Sequence, residues 1–431
     1  MEKGSTAPRH NRMNANNILL ALPLLAAASL VACSSSDDVG REARAKVGRV
    51  SSAVINGKDS DKSQDQVVLL VHYDPAKRDF GSCTGTLLSP RLVLTARHCV
   101  ADTDESAACD VKGVPLAQGA IRGNHKPDTV YVFTGPTRPD FGAGDITPDG
   151  QGAKIIDDGG MNLCNHDIAL LILKEPIKDA KISPIRLDGP IVKGETLTAI
   201  GWGVTDTTPS PDVRQQRTGI KVMGIGPNES ETSFPVPPNE FQVGESICSG
   251  DSGGPALAST KAIVGIVSRG GNATRPDPQN PAATCINGEN LYTKVEPFRD
   301  MILEAYALVE ADPWYENGPD PRLLKPGAAC GDAAECRSNL CLLDPASEGG
   351  AATTCADDCS VTATCPEGQT CTPDGEAQVC RATPAPAAAP GATTTTTGCA
   401  TGGAGHSESG TVGLVLAALG LVALRRRRSL R

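Results

Sequence analysis

Gly250-Asp251-Ser252-Gly253-Gly254-Pro255 sets a serine hydroxyl among glycines, which leaves room for a carbonyl group and for backbone amides to approach the oxygen closely. A serine at its ordinary pKa is a weak nucleophile, so a reactive hydroxyl here demands a general base and a group that orients that base. Both residue types stand upstream. Leu94-Thr95-Ala96-Arg97-His98-Cys99 carries a histidine, and Asn165-His166-Asp167-Ile168-Ala169-Leu170-Leu171 carries an aspartate at the mouth of a strongly apolar strand. Alone, His98 reads as a core histidine and Asp167 as a turn residue. Together, in the order His, Asp, Ser, they require a fold that brings three distant segments to one cleft.

These motifs resemble the chymotrypsin/trypsin family of serine endopeptidases over roughly residues 54 to 310. Further landmarks are Gly201-Trp202-Gly203 after a strand, Ile266-Val267-Ser268 before a glycine pair, Tyr292-Thr293-Lys294-Val295, and a closing amphipathic segment from Glu296 to Val309. Other triad folds use a different chain order. The resemblance implies an all-β fold of two packed six-stranded antiparallel barrels with a C-terminal helix and the site between the barrels. It also implies hydrolysis of polypeptides; the sequence shows no metal-ligand cluster and no nucleotide motif, so neither metal nor cofactor is expected, and the protein is read as a monomer. Ser252 attacks the scissile carbonyl, His98 takes and returns the proton, Asp167 holds the imidazole, and the amides of Gly250 and Ser252 meet the developing oxyanion. Ser268 is expected beneath the triad, and the chain from Ser268 to Gly270 alongside the substrate backbone.

The resemblance assigns the mature N-terminus to Val54, whose freed amine would pair with Asp251 and order the oxyanion loop. Ala53 precedes it where trypsin-activated relatives carry a basic residue, so an activator preferring small residues, or self-cleavage, is implied. Ser246 falls at the floor of the primary pocket. It offers no charge to a buried lysine or arginine. Gly270 leaves one wall open and Asn290 shortens the pocket, which favours an uncharged side chain of small to medium size. Three positions depart from the family: Arg97 replaces alanine before the histidine, Arg269 replaces tryptophan after Ser268, and Gln242 stands where a further cysteine is expected. His166, beside the aspartate, is read as non-catalytic.

Sixteen cysteines point to an oxidising compartment. Apart from Cys33 and Cys399, six lie in the protease-like region and eight between Cys330 and Cys380. The family pairing joins Cys83 to Cys99 and Cys248 to Cys285. Cys109 and Cys164 remain and are expected to bond to each other. The net charge of −10, with basic residues clustered at Arg425 to Arg428 and Arg431, argues against a nucleic-acid partner.

Residues 1–33 have the build of a signal peptide, and Leu30-Val31-Ala32-Cys33 resembles a bacterial lipobox with Cys33 as the lipidated residue. Simple cleavage near Ala32 is the alternative. Residues 34–53 read as a leader, 54–310 as the protease domain, 311–329 as a linker and 330–381 as a cysteine-rich module that bridges must stabilise. Stalk, adhesion and substrate-binding roles for that module all stay open. A Pro-, Ala- and Thr-rich tether spans 382–410. The apolar run from Thr411 to Leu424, with its arginine cluster, resembles a myxobacterial-type C-terminal sorting tail and is too short to span a bilayer comfortably. These features imply an exported protein at a bacterial surface or released from it, held to the membrane by Cys33 or the tail. A catalytically silent protease-like binding protein, or an adhesin, is the competing function.

Overall fold

The computed structural model describes residues 54–382, apart from 77–78, 105, 144–145, 206–207, 229–234, 273, 276, 278, 281, 344–351, 361–362 and 376. The signal segment with Cys33, the leader through Ala53 and the basic tail lie outside the described residues.

Two closed antiparallel barrels of six strands each form the body of the chain. The first contains β1 (Val67–Asp74), β2 (Asp79–Ser89), β3 (Leu92–Thr95), β4 (Val130–Phe133), β5 (Gly150–Ile156) and β6 (Ala169–Leu173). Its strands run β1-β2-β3-β6-β5-β4 and close back on β1. The second contains β7 (Thr196–Gly201), β8 (Gln215–Ile225), β9 (Glu240–Val243), β10 (Pro255–Leu257), β11 (Ile263–Gly271) and β12 (Glu289–Lys294). It repeats the same order six strands later, β7-β8-β9-β12-β11-β10, closing on β7. Closure pairs the backbone groups that open sheet edges would expose.

The apolar runs follow from this closure. Every residue of β6, Ala169-Leu170-Leu171-Ile172-Leu173, is buried, because one face fills the barrel and the other is covered. Part of the cover is α1 (Arg299–Leu308), which buries Ile302, Ala305 and Tyr306 on one stripe. Truncating the fully buried Leu171 to alanine is expected to cost about 2–5 kcal/mol. The barrels are also joined by Arg214, fully buried before β8, which donates to Val67 O at 2.6 Å and Asp61 O at 2.6 Å and pairs with Asp65 at 3.1 Å.

Beyond α1 the chain folds back onto the barrels. Ile185 N donates to Trp314 O at 2.8 Å, and Arg186 Nη2 donates to Glu316 Oε1 at 2.8 Å. Four bridges follow: Cys330–Cys341, Cys336–Cys355, Cys359–Cys371 and Cys365–Cys380. They form two successive crossed pairs, each stapling a two-stranded sheet in place of an apolar core. Among the described residues no helix is long and apolar enough to cross a membrane.

Candidate active site

A cleft of about 600 Å³ is lined by His98 and Asp167 from the first barrel and by Ser252, Ser268, Gly270 and Asn290 from the second. The register of β3 and β6 explains how the first two meet. Thr95 lies opposite Ala169 at one end of the paired strands, so the segment leaving β3 and the segment entering β6 emerge together. His98 sits in the 3-10 turn Arg97–Cys99, and the Cys83–Cys99 bridge ties that turn to β2.

His98 Nδ1 lies 2.9 Å from Asp167 Oδ2, and His98 N donates to Asp167 Oδ1 at 3.0 Å. Ser268 Oγ donates to Asp167 Oδ2 at 2.6 Å. Burial disfavours the charged form of both groups, yet each shifts the other way. The Asp167 charge and hydrogen bond hold the His98 pKa above its ordinary value, against burial and the repulsion of Arg269. His98 and the donors around Asp167 keep that carboxyl below its ordinary value despite complete burial.

Ser252 occupies the turn that enters β10. Thr84 of β2 fixes this turn from the opposite barrel: its amide donates to Ser252 O at 2.8 Å and its hydroxyl to Gly250 O at 2.9 Å. Gly253 has φ +75°, and a Cβ there would stand 2.1 Å from Thr95 Oγ1, so glycine is required for both conformation and space. The amides of Gly250 and Ser252 donate no hydrogen bond among the described residues.

Asp251 is buried between them, accepting from Gly203 N at 2.8 Å and Cys248 N at 2.9 Å. Burial pushes its pKa up to about 7, against those two amides and the distant attraction of Arg138. Val54 is fully buried in the core of the second barrel.

Ser246 is fully buried behind Asn290. Asn290 Nδ2 donates to Gly244 O at 3.0 Å and to Ser246 Oγ at 3.3 Å. A carbonyl accepts only, so Gly244 O fixes the amide orientation and leaves Asn290 Oδ1 on the other side. A Cβ at Gly270 would lie 2.2 Å from that oxygen. Asn290, rather than Ser246, therefore lines the cleft. The walls nearby are stapled by Cys248–Cys285, and Cys109 is joined to Cys164.

The unusual residues have partners. Arg97 is buried and forms an ion pair through Nη1 with Asp157, while its Nε has no hydrogen-bond partner among the described residues. His166 is half exposed and lies 2.5 Å from Asp158, outside the cleft lining. Gln242 donates to Glu289 Oε2 at 2.7 Å. Arg269 forms a two-point pair with Glu240, at 2.9 and 2.7 Å. Sequence reasoning passed over Thr84 and Glu240. Both sit in ordinary strand contexts, and only the meeting of the barrels gives them a role.

The trypsin family model matches residues 54–302. Phenoloxidase-activating factor 3 of Holotrichia diomphalia is 31% identical over 240 residues, covering 50% of this chain and 65% of that protein. The chain thus spans just under two thirds of that relative. A trypsin of Saccharopolyspora erythraea is 24% identical over 262 residues, 58% of this chain and 97% of the relative. A trypsin of Phaedon cochleariae is 28% identical over 235 residues, 52% of this chain and 78% of the relative. With a family match over more than half its length and two barrels flanking the cleft, the chain belongs to the trypsin family.

Proposed function

We propose that this protein is an exported serine endopeptidase, made as a precursor and activated by cleavage between Ala53 and Val54. The observation that carries the reading is the run of contacts Ser268–Asp167–His98, 2.6 and 2.9 Å long, in a cleft that Ser252 also lines. Ser252 Oγ attacks the carbonyl carbon as His98 Nε2 accepts its proton. Asp167, bonded at Nδ1, selects that tautomer and stabilises the imidazolium. The unpaired amides of Gly250 and Ser252 receive the oxyanion, each such donor being worth about 3 to 4 kcal/mol to the transition state. His98 then passes its proton to the leaving amine, and water releases the acyl group by the same route.

Asn290 makes the primary pocket a shallow polar cup, supporting preference for a small uncharged side chain. Ala53, the residue before the activation bond, is of that kind. Asp251 is the partner proposed for the Val54 amine, since a buried carboxyl with its pKa near 7 gains most from a cation. Seven disulfides among the described residues fit an oxidising, extracytoplasmic setting. The Cys33 signal and the C-terminal tail support display at the cell surface.

Reaction with a fluorophosphonate probe tests the assignment. Protein beginning at Val54 should label at Ser252, and Ser252→Ala should not. No labelling of correctly processed protein would favour the silent binding protein.

A further inference from the structure

Arg269 and Glu240 lie on strands separated by β12, yet reach one another across it. Arg269 follows Ser268 on β11, and Glu240 opens β9. Glu240 is fully buried, and Arg269, with a side-chain exposure of 15%, is partly buried on the cleft wall. Replacing a buried ion pair by well-packed apolar residues is often neutral or stabilising, so folding stability alone does not account for this pair and its remaining contacts are informative. Arg269 Nη1 donates to Ser268 Oγ at 3.3 Å, the hydroxyl that donates to Asp167. Arg269 Nη2 lies 3.2 Å from Cys109 Sγ. Glu240 Oε1 accepts from Asn165 N at 3.1 Å, two residues before Asp167. The neighbouring Asn239 N donates to Asn165 Oδ1 at 2.9 Å. Asn165 has φ +71°, a conformation that needs such fixing in a residue with a side chain.

We infer that Arg269 and Glu240 form a positioning pair for the Asp167–His98 couple, clasping the Asp167 segment of the first barrel from the second and placing compensated charge one hydrogen bond behind the carboxylate. The inference rests on the protease reading above. The pair acts in two ways. Glu240 and Asn239 hold the backbone that presents Asp167. Arg269 supports the carboxylate through Ser268 and repels a proton on His98, the direction of its influence on that imidazole. Other groups around His98 are Arg97 with Asp157 behind its turn, and His72 and His125, which line the small cavity beside the ring. Asp102 and Asp104 stand farther along the cleft wall.

Opposite charge changes give the test. Arg269→Met removes the cation and leaves Glu240, so His98 should protonate more readily and the acid limb of kcat/KM should move up by about half a pH unit. Glu240→Gln keeps the shape and the acceptor for Asn165 N but uncovers the Arg269 charge, so the limb should move down by a similar amount. The Glu240→Gln/Arg269→Met double variant, which buries no orphan charge, should fall between them. Titration of the His98 ring protons by NMR reads the same shifts without turnover. Silent enzyme with opposite NMR shifts would remove the protease reading and leave the pair; active variants whose limbs and NMR titrations stay unmoved would remove the pair and leave the protease.

Discussion

Asn290 Nδ2 donates to Ser246 Oγ across 3.3 Å, and the serine expected at the floor of the primary pocket is thereby sealed behind the asparagine. Asn290→Gly should reopen the space down to Ser246 and Tyr292. Relative kcat/KM for peptides with phenylalanine before the scissile bond, against alanine, should rise about tenfold or more. Paired peptide assays on the two enzymes check this. An unchanged ratio would mean that another group limits pocket depth.

Activation should follow the same selectivity. Ser252→Ala precursor, incubated alone, should remain uncleaved and should be cut before Val54 by added wild-type enzyme. Ala53→Arg precursor should resist the wild-type enzyme and yield to trypsin. N-terminal sequencing reads all four outcomes, and cleavage of the arginine precursor by the wild-type enzyme would contradict the pocket assignment.

Asp251 should add a distinct pH-dependent contribution to precursor stability. Its folded-state pKa is raised from 3.8 to about 7, so the folded precursor holds a proton that the unfolded chain releases. Its contribution is therefore fully present below about pH 4 and is lost as pH rises through about 7, a change on the order of 4 kcal/mol. Once Val54 is free, its amine favours the carboxylate and this loss should disappear. Urea denaturation of precursor and processed protein at pH 5 and pH 8 compares the two. Equal pH dependence would exclude the proposed ion pair.

The Cys109–Cys164 bridge closes a segment with a sequence separation of 55 and ends beside Asn165. Replacing both cysteines by serine should cost roughly 3–4 kcal/mol of stability in a denaturant titration. It should also lower kcat more than it raises KM, because the Asp167 segment loses one of its anchors. A loss of stability with kinetics unchanged would confine the bridge to a folding role.

Much of the architecture was legible because the barrels impose local patterns: apolar strands, glycine turns around Ser252, and Ile302, Ala305 and Tyr306 spaced along one helical stripe. The motifs bearing His98, Asp167 and Ser252 were legible for the same reason, since each sits at the end of a recognisable strand. Arg269 could be seen as a departure, but its partner could not. Glu240 looks like an ordinary strand residue and is called into place by a contact over an intervening strand. The depth of the pocket was hidden in a similar way. Both Ser246 and Asn290 were visible as candidates, yet which one faces the cleft depends on how the Asn290 amide is held by Gly244 O.

Digestion of a peptide library by protein whose first residue is Val54 bears most directly on the proposed chemistry. Cleavage after small uncharged residues, abolished by Ser252→Ala and reduced about ten-thousandfold by Asp167→Asn, is the expected result. Intact peptides after incubation with folded, correctly processed protein, or hydrolysis that persists in Ser252→Ala, would contradict it.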